Sequence, residues 1–137
     1  MTASAQLLSR IARKEMAEVA RARHDLAARL RDLRAAEALG ARLGQLLAQR
    51  RDMAAQAASV AELTERRRLV DQLAAEAIRC QTRLATLKTE AEQAATALAR
   101  LEHRRRMLDE AALAARRAER AEAEAKAEAA QMHGLRR

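Results

Sequence analysis

Every seventh residue from position 63 is Leu63, Val70, Ala77, Leu84, Ala91, Leu98, Arg105 and Ala112. Three residues after each of these stand Arg66, Leu73, Cys80, Leu87, Ala94, Leu101, Leu108 and Ala115. Fourteen of the sixteen positions are apolar, with Arg66 and Arg105 the exceptions. An apolar residue every 3.5 positions keeps one narrow stripe of a helix turned toward a partner helix, the pattern of a left-handed coiled coil. The next two members are Glu119 and Glu122, so the seam is expected to stop near residue 115.

The first half carries a looser stripe through Leu8, Ala12, Met16, Val19, Leu26, Leu30, Leu33, Ala36, Gly40, Leu43 and Leu47. Two consecutive steps of three, Leu30 to Leu33 to Ala36, predict a phase slip there. Beside it, "GARLG" at 40–44 places two glycines within one turn, each costing about 1 kcal/mol relative to alanine. The pair reads equally well as a tolerated weak point and as a place where the helices approach closely.

Between the two stripes, Ser59 and Glu62 fit a capping box, in which a hydroxyl and a carboxylate satisfy the backbone donors of a new helix. A turn near 56–58 would set residue i level with about 115 − i, so residue 3 would face about 112, where the second seam fades. The expected fold class is therefore all-α: a long antiparallel two-helix coiled-coil hairpin with an overhanging C-terminal helix. Helix 1 is expected over about 3–56 and helix 2 over about 59–133, the whole of 1–137 forming one coiled-coil unit. The overhang, charged all round, should fray toward Gly134. The competing geometry is one uninterrupted helix that dimerises.

Composition agrees with helices and little else. The chain has no Phe, Tyr, Trp or Pro and three glycines, while half its residues are apolar. Alanine dominates that half, which suits long helices and leaves little material for a thick core. The formal charge of +8 invites a nucleic-acid reading. Acids interleave with the bases almost everywhere, however, and no aromatic could stack on a base, so no nucleic-acid partner is expected. Acids sharing the polar face also disfavour an amphipathic membrane-surface helix. No apolar stretch is long enough for direct membrane insertion, and charge comes too early for a signal peptide. One cysteine, Cys80, suits a reducing cytoplasm and reads as a small buried seam residue.

Chemistry-bearing motifs are missing. His24, His103 and His133 are too far apart to share a helical face, and no H-x-x-x-H pair could hold a metal. No glycine-rich loop could cradle a phosphate. A catalytic role, a metal and a cofactor are not expected.

Two surfaces invite partners instead. Leu39 and Leu46 flank the first seam, and Leu69 and Ile78 flank the second, so an apolar patch is expected on one side near the turn. At the opposite end Arg10, Arg13 and Lys14 should lie near Arg104, Arg105, Arg106, Arg116 and Arg117. That cluster could enter an acidic partner, or could simply be solvated beside Glu15, Glu102 and Glu110.

"LSRIARKE" at 8–15 resembles the opening of the flagellar type III export stalk protein family, FliJ, which reads Leu-x-x-Leu-Ala-x-Lys-Glu. "DMAAQAAS" at 52–59 followed by "LVDQLAAEAIRCQTRL" is similar to that family's turn and second helix. The overall length is also similar, although the aromatics that many members carry near the turn are absent here. The resemblance implies a non-enzymatic stalk, monomeric alone, like the central stalk of rotary ATPases. Its terminal end, with Arg10, Arg13, Lys14, Arg104, Arg105, Arg106, Arg116 and Arg117, would contact the export ATPase hexamer. The flank of Leu39, Leu46, Leu69 and Ile78 would meet the export-gate cytoplasmic domain and export chaperones. Such a protein would be cytoplasmic, peripherally associated with the inner membrane at the flagellar base. An injectisome stalk would look much the same, and a self-associating structural coiled coil is the rival class.

Overall fold

A computed structural model describes residues 3–136. Among them the chain forms two long helices packed against each other and no strand: α1, Ala3–Ala55, and α2, Val60–Leu135. Both boundaries lie within two residues of the sequence expectation, and α2 extends through Gly134 to Leu135.

The bend occupies residues 56–59 and is closed by helix-end hydrogen bonds, a cap at the start of α2 and one arginine from α2. Ser59 Oγ accepts from the Glu62 backbone N–H at 3.2 Å, and a Glu62 carboxylate oxygen accepts from the Ala58 N–H at 3.1 Å. The Ser59 half matches the expected capping box, while the Glu62 carboxylate reaches one residue further back than the box requires, to Ala58 instead of the Ser59 N–H. The last turn of α1 closes with Gln56 N–H to the Met53 carbonyl at 3.2 Å and Ala57 N–H to the Ala54 carbonyl at 3.3 Å. The Arg66 guanidinium also donates to the Met53 carbonyl while pairing with Glu62. That contact explains why an arginine interrupts the second seam: it satisfies a carbonyl the ending helix leaves open. No described residue of the bend has positive φ.

Burial along α2 follows the sequence reading closely. All sixteen seam positions between 63 and 115 are buried or half-buried, including Arg66 and Arg105. Glu119 is still half-covered and Glu122 is exposed. From residue 120 to 136 every position is exposed. Good helix formers and the Glu122–Lys126 pair at 3.5 Å are enough to carry the helix on.

On α1 the stripe needs correction. A regular stripe of covered positions runs through 5, 8, 12, 15, 19, 22, 26, 29, 33, 36, 40, 43, 47 and 54, alternating steps of three and four until Arg50, which is exposed, with Ser9, Ile11, Glu18 and Ala28 half-covered beside it. There is no phase slip. Met16, 50% exposed, and Leu30, 37% exposed, stand outside the stripe, and Glu15 and Arg29 take their places. Tracing apolar residues alone steps over these two charged members, which creates the false slip.

Contacts within each of two compact units give the direction of pairing. One unit joins α1 up to Arg23 with α2 from Thr96, and the other spans His24–Ala95. In the first, Ser9 meets Arg116 and Glu15 meets Arg104. In the second, Arg29 meets Glu90, Ala36 meets Cys80, and Met53 meets Arg66. As the α1 number rises, the α2 number falls. The side-chain contacts also lie further along α2 than the level rule predicts: Glu15 reaches Arg104 rather than residue 100, and Arg29 reaches Glu90 rather than residue 86. Helical side chains lean toward their own N-terminus. On α1 that lean is away from the bend and on α2 toward it, so both displacements act in the same sense.

The core is small-residued: Ala5, Val19, Ala36, Ala54, Cys80, Ala91 and Ala112 are its buried apolar members. Cys80 behaves as the small buried seam residue expected, its thiol 3.8 Å from the Ala36 carbonyl oxygen. Gly40 faces this layer, yet a methyl group there would sit at ordinary contact distance, 3.5 Å from both Cys80 Sγ and Leu84 Cδ1. At Gly44 a methyl would meet nothing within 4 Å. Close approach therefore requires neither glycine. Gly40→Ala and Gly44→Ala should each raise unfolding free energy by roughly 0.5–1 kcal/mol, read from urea denaturation followed by circular dichroism. Destabilisation by Gly40→Ala would mean that the helices approach more closely than this spacing.

Candidate protein-docking surfaces

The four leucine-type candidates all belong to the unit spanning His24–Ala95, and all four are exposed. Leu39 lines an open groove of ≈ 430 Å³ together with Asp32, Glu76, Arg79 and Arg83, with Cys80 at its floor. Leu69 lines a neighbouring groove that shares Glu76 and Arg79. Leu46 stands seven residues after Leu39, and Leu69 seven before Glu76. Moving one heptad toward the bend on both helices therefore carries the Leu39–Glu76 side onto Leu46 and Leu69. Three of the four thus share one flank.

Ile78 does not join them. It follows seam residue Ala77, whereas Glu76 precedes it, so the two project on opposite sides of the seam. Ile78 is 64% exposed on its own. Met53 was missed by the sequence reading. It lies one further heptad beyond Leu46, is 42% exposed, and has its sulfur 3.8 Å from Arg50 Nη1. The signal was available as the spacing 39, 46, 53. A search for surplus leucines alone passes over a methionine.

The eight basic candidates all fall in the other unit. Contacts from Ser9 to Arg116 and from Glu15 to Arg104 bracket Arg10, Arg13 and Lys14 against the α2 segment between those arginines. The structure therefore brings the two basic segments together, but it does not leave all eight cations equivalent. Arg104 Nη1 lies 3.5 Å from Glu15 Oε1, Arg116 donates to Ser9 Oγ at 3.4 Å, and Arg105 pairs with Asp109 at 3.7 Å. Arg10, Arg13, Lys14, Arg106 and Arg117 are exposed and make no ion pair within 4 Å among the described residues. Glu102, expected to neutralise this cluster, is instead engaged by Arg23 at 3.1 Å.

Comparison with protein-family models, curated proteins and solved structures finds no match to this chain. Its surfaces must therefore be read from their own chemistry. No helix among the described residues is long and apolar enough to cross a membrane. Among the same residues no three His, Cys, Asp or Glu side chains gather in a way that could hold a metal ion. What the molecule offers is an apolar flank on one unit and a set of exposed cations on the other.

Proposed function

We propose that this chain is a non-enzymatic stalk component of a flagellar type III protein export apparatus, folded as an antiparallel coiled-coil hairpin. In this reading the basic unit enters the ring of the export ATPase hexamer. The flank of Leu39, Leu46 and Leu69 meets the export-gate cytoplasmic domain and export chaperones. The protein works without cofactor in the cytoplasm, held at the inner membrane of the flagellar base by its partners rather than by insertion.

The observation that carries the reading is the apolar flank. Leu39, Leu46 and Leu69 are 55%, 37% and 37% exposed on one side of a helix pair whose seam is already mostly apolar around them. Heptad burial on both helices needs no further leucine, so leucines at flank spacing favour contact with another protein. The resemblance of "LSRIARKE" and of the bend segment to the export stalk family supplies the identity of that partner.

The direct test is a pull-down with the export ATPase and the gate domain from the same organism, using Leu46→Asp with Leu69→Asp as the comparison. The double variant should keep its helix content, because both residues lie outside the seam. Its gate binding should fall about tenfold or more, as expected when an apolar anchor is lost from a desolvated contact. Full gate binding by the folded variant would remove this flank from the reading. Sedimentation separates the rival class, since a stalk hairpin should run as a monomer and a structural scaffold as a dimer or larger.

A further inference from the structure

A heptad seam specifies which faces meet, but it does not specify which heptad meets which. Sliding one helix past the other by seven residues returns apolar residues to apolar positions along most of the seam. The bend does not prevent this slide by backbone chemistry. It contains no glycine, no proline and no positive φ, and "AAQAA" beside it is equally able to be helix or turn. The Ser59–Glu62 cap and the Arg66 contact to the Met53 carbonyl favour one position of the bend, and along the rest of the seam something besides the apolar pattern must hold the register.

We infer that two charged residues placed on the α1 seam hold it, one in each unit: Glu15 through Arg104, and Arg29 through Glu90. Glu15 and Arg29 are two heptads apart, and so are their partners. Arg29 Nη1 donates to Glu90 Oε2 at 2.9 Å, with both side chains about 40% exposed. Glu15 is buried, its Oε1 lies 3.5 Å from Arg104 Nη1, and its Oε2 has no hydrogen-bond partner among the described residues. The two pairs have opposite polarity, acid on α1 in one and base on α1 in the other.

That polarity discriminates against slipped alignments. A slide by one heptad in one direction would set Arg29 against Arg83 and Glu15 against Ala97. In the other direction Arg29 would meet Ala97 and Glu15 would meet Ala111. A slide by two heptads would set Glu15 against Glu90, or Arg29 against Arg104. Arg29 keeps its pair with Asp25 at 3.2 Å on its own helix in every register. The discrimination therefore comes from the like-charge meetings and from buried Glu15, which each alternative leaves without Arg104. In the observed register both charges meet their opposites. Single charged or polar residues inside an otherwise apolar seam are known to fix register and partner geometry in coiled coils at some cost in stability. The inference concerns how the pairing is held and stands apart from any export role.

The test uses Cys80 as a built-in reporter. A Cβ at position 40 would lie 3.5 Å from Cys80 Sγ, so Gly40→Cys should form an intramolecular disulfide with Cys80 in the observed register. Position 33 lies one heptad earlier, so Leu33→Cys reports the slip that sets residue 29 against Arg83. In the wild-type background Gly40→Cys should cross-link and Leu33→Cys should not. Arg29→Glu places like charges at 29 and 90 and gains Arg83 in the slipped register. It should shift the ratio of the two cross-linking yields toward Leu33→Cys by about threefold to fivefold. Arg29→Glu with Glu90→Arg restores opposite charges and should restore the Gly40→Cys pattern. Circular dichroism establishes that each variant is helical. An unchanged ratio in helical Arg29→Glu, or failure of the paired reversal to restore it, would overturn the inference. If Arg29→Glu loses its helices, recovery of the native cross-link in the paired reversal still supports the lock, and its absence refutes it.

Discussion

Val19→Asp should destabilise the unit that contains it by about 3 kcal/mol or more, whereas Val60→Asp should leave stability within about 0.5 kcal/mol of the parent. The two substitutions are chemically identical and the residues are a heptad-seam member and a helix-start member. Val19 is 1% exposed and is the largest fully buried side chain, while Val60 is 81% exposed at the first position of α2. An aspartate at 19 would be buried four residues after Glu15, a like charge on the same face of the helix. It would also give up the burial of a valine side chain in a core built mostly of alanine, where few other large groups compensate. An aspartate at 60 would instead sit where a helix start favours negative charge. Urea unfolding followed by circular dichroism reads both. A loss at Val19→Asp of less than about 1 kcal/mol would mean that position 19 is not on the seam.

The second helix was readable because its seam is almost purely apolar, and a periodic apolar pattern is what helix packing demands. The first helix was readable in existence and extent but not in phase. Its seam includes Glu15 and Arg29, and the eye that follows hydrophobicity moves to Met16 and Leu30, each one residue away. Those charged members are tolerated because partners reach them from α2, information that lies some 60 to 90 residues away in sequence. The bend was legible from Ser59 and Glu62, whose cap is local. Arg66, whose role is to satisfy the Met53 carbonyl across the bend, could be noticed only as an interruption. The flank was legible through leucine spacing, but Ile78 entered it wrongly because flanking a seam does not say on which side. The level rule missed the side-chain lean, a property of helix geometry rather than of any residue. The basic residues and their neighbour Glu15 were legible as one region, while Ser9 beside Arg116, Asp109 beside Arg105 and the diversion of Glu102 to Arg23 were not foreseeable from charge alone.

That distinction among the cations determines what a charge reversal should do. If the basic unit enters the ring of an export ATPase, as proposed, its contacts must be shared among several subunits, and long-range attraction suits that task better than one deep pocket. Arg10, Arg13 and Arg117 are exposed cations without an ion pair among the described residues, so their charge is available to a partner. Arg104 and Arg116, by contrast, are engaged with Glu15 and Ser9 and would disturb the helix pairing if reversed. Reversing Arg10, Arg13 and Arg117 to glutamate should therefore reduce stimulation of the ATPase at least tenfold, about the lower bound for electrostatically steered association. The unfolding midpoint should move little, since exposed charges contribute about 0–1 kcal/mol each. Gate binding through Leu46 and Leu69, on the other unit, should persist. Stimulation by the unaltered protein should itself weaken as salt shortens the Debye length from ~10 Å at 0.1 M toward ~3 Å at 1 M. ATPase activity measured against stalk concentration at low and moderate salt reads both effects. Full stimulation by the folded triple variant, or stimulation indifferent to salt, would show these arginines to be solvated surface and nothing more.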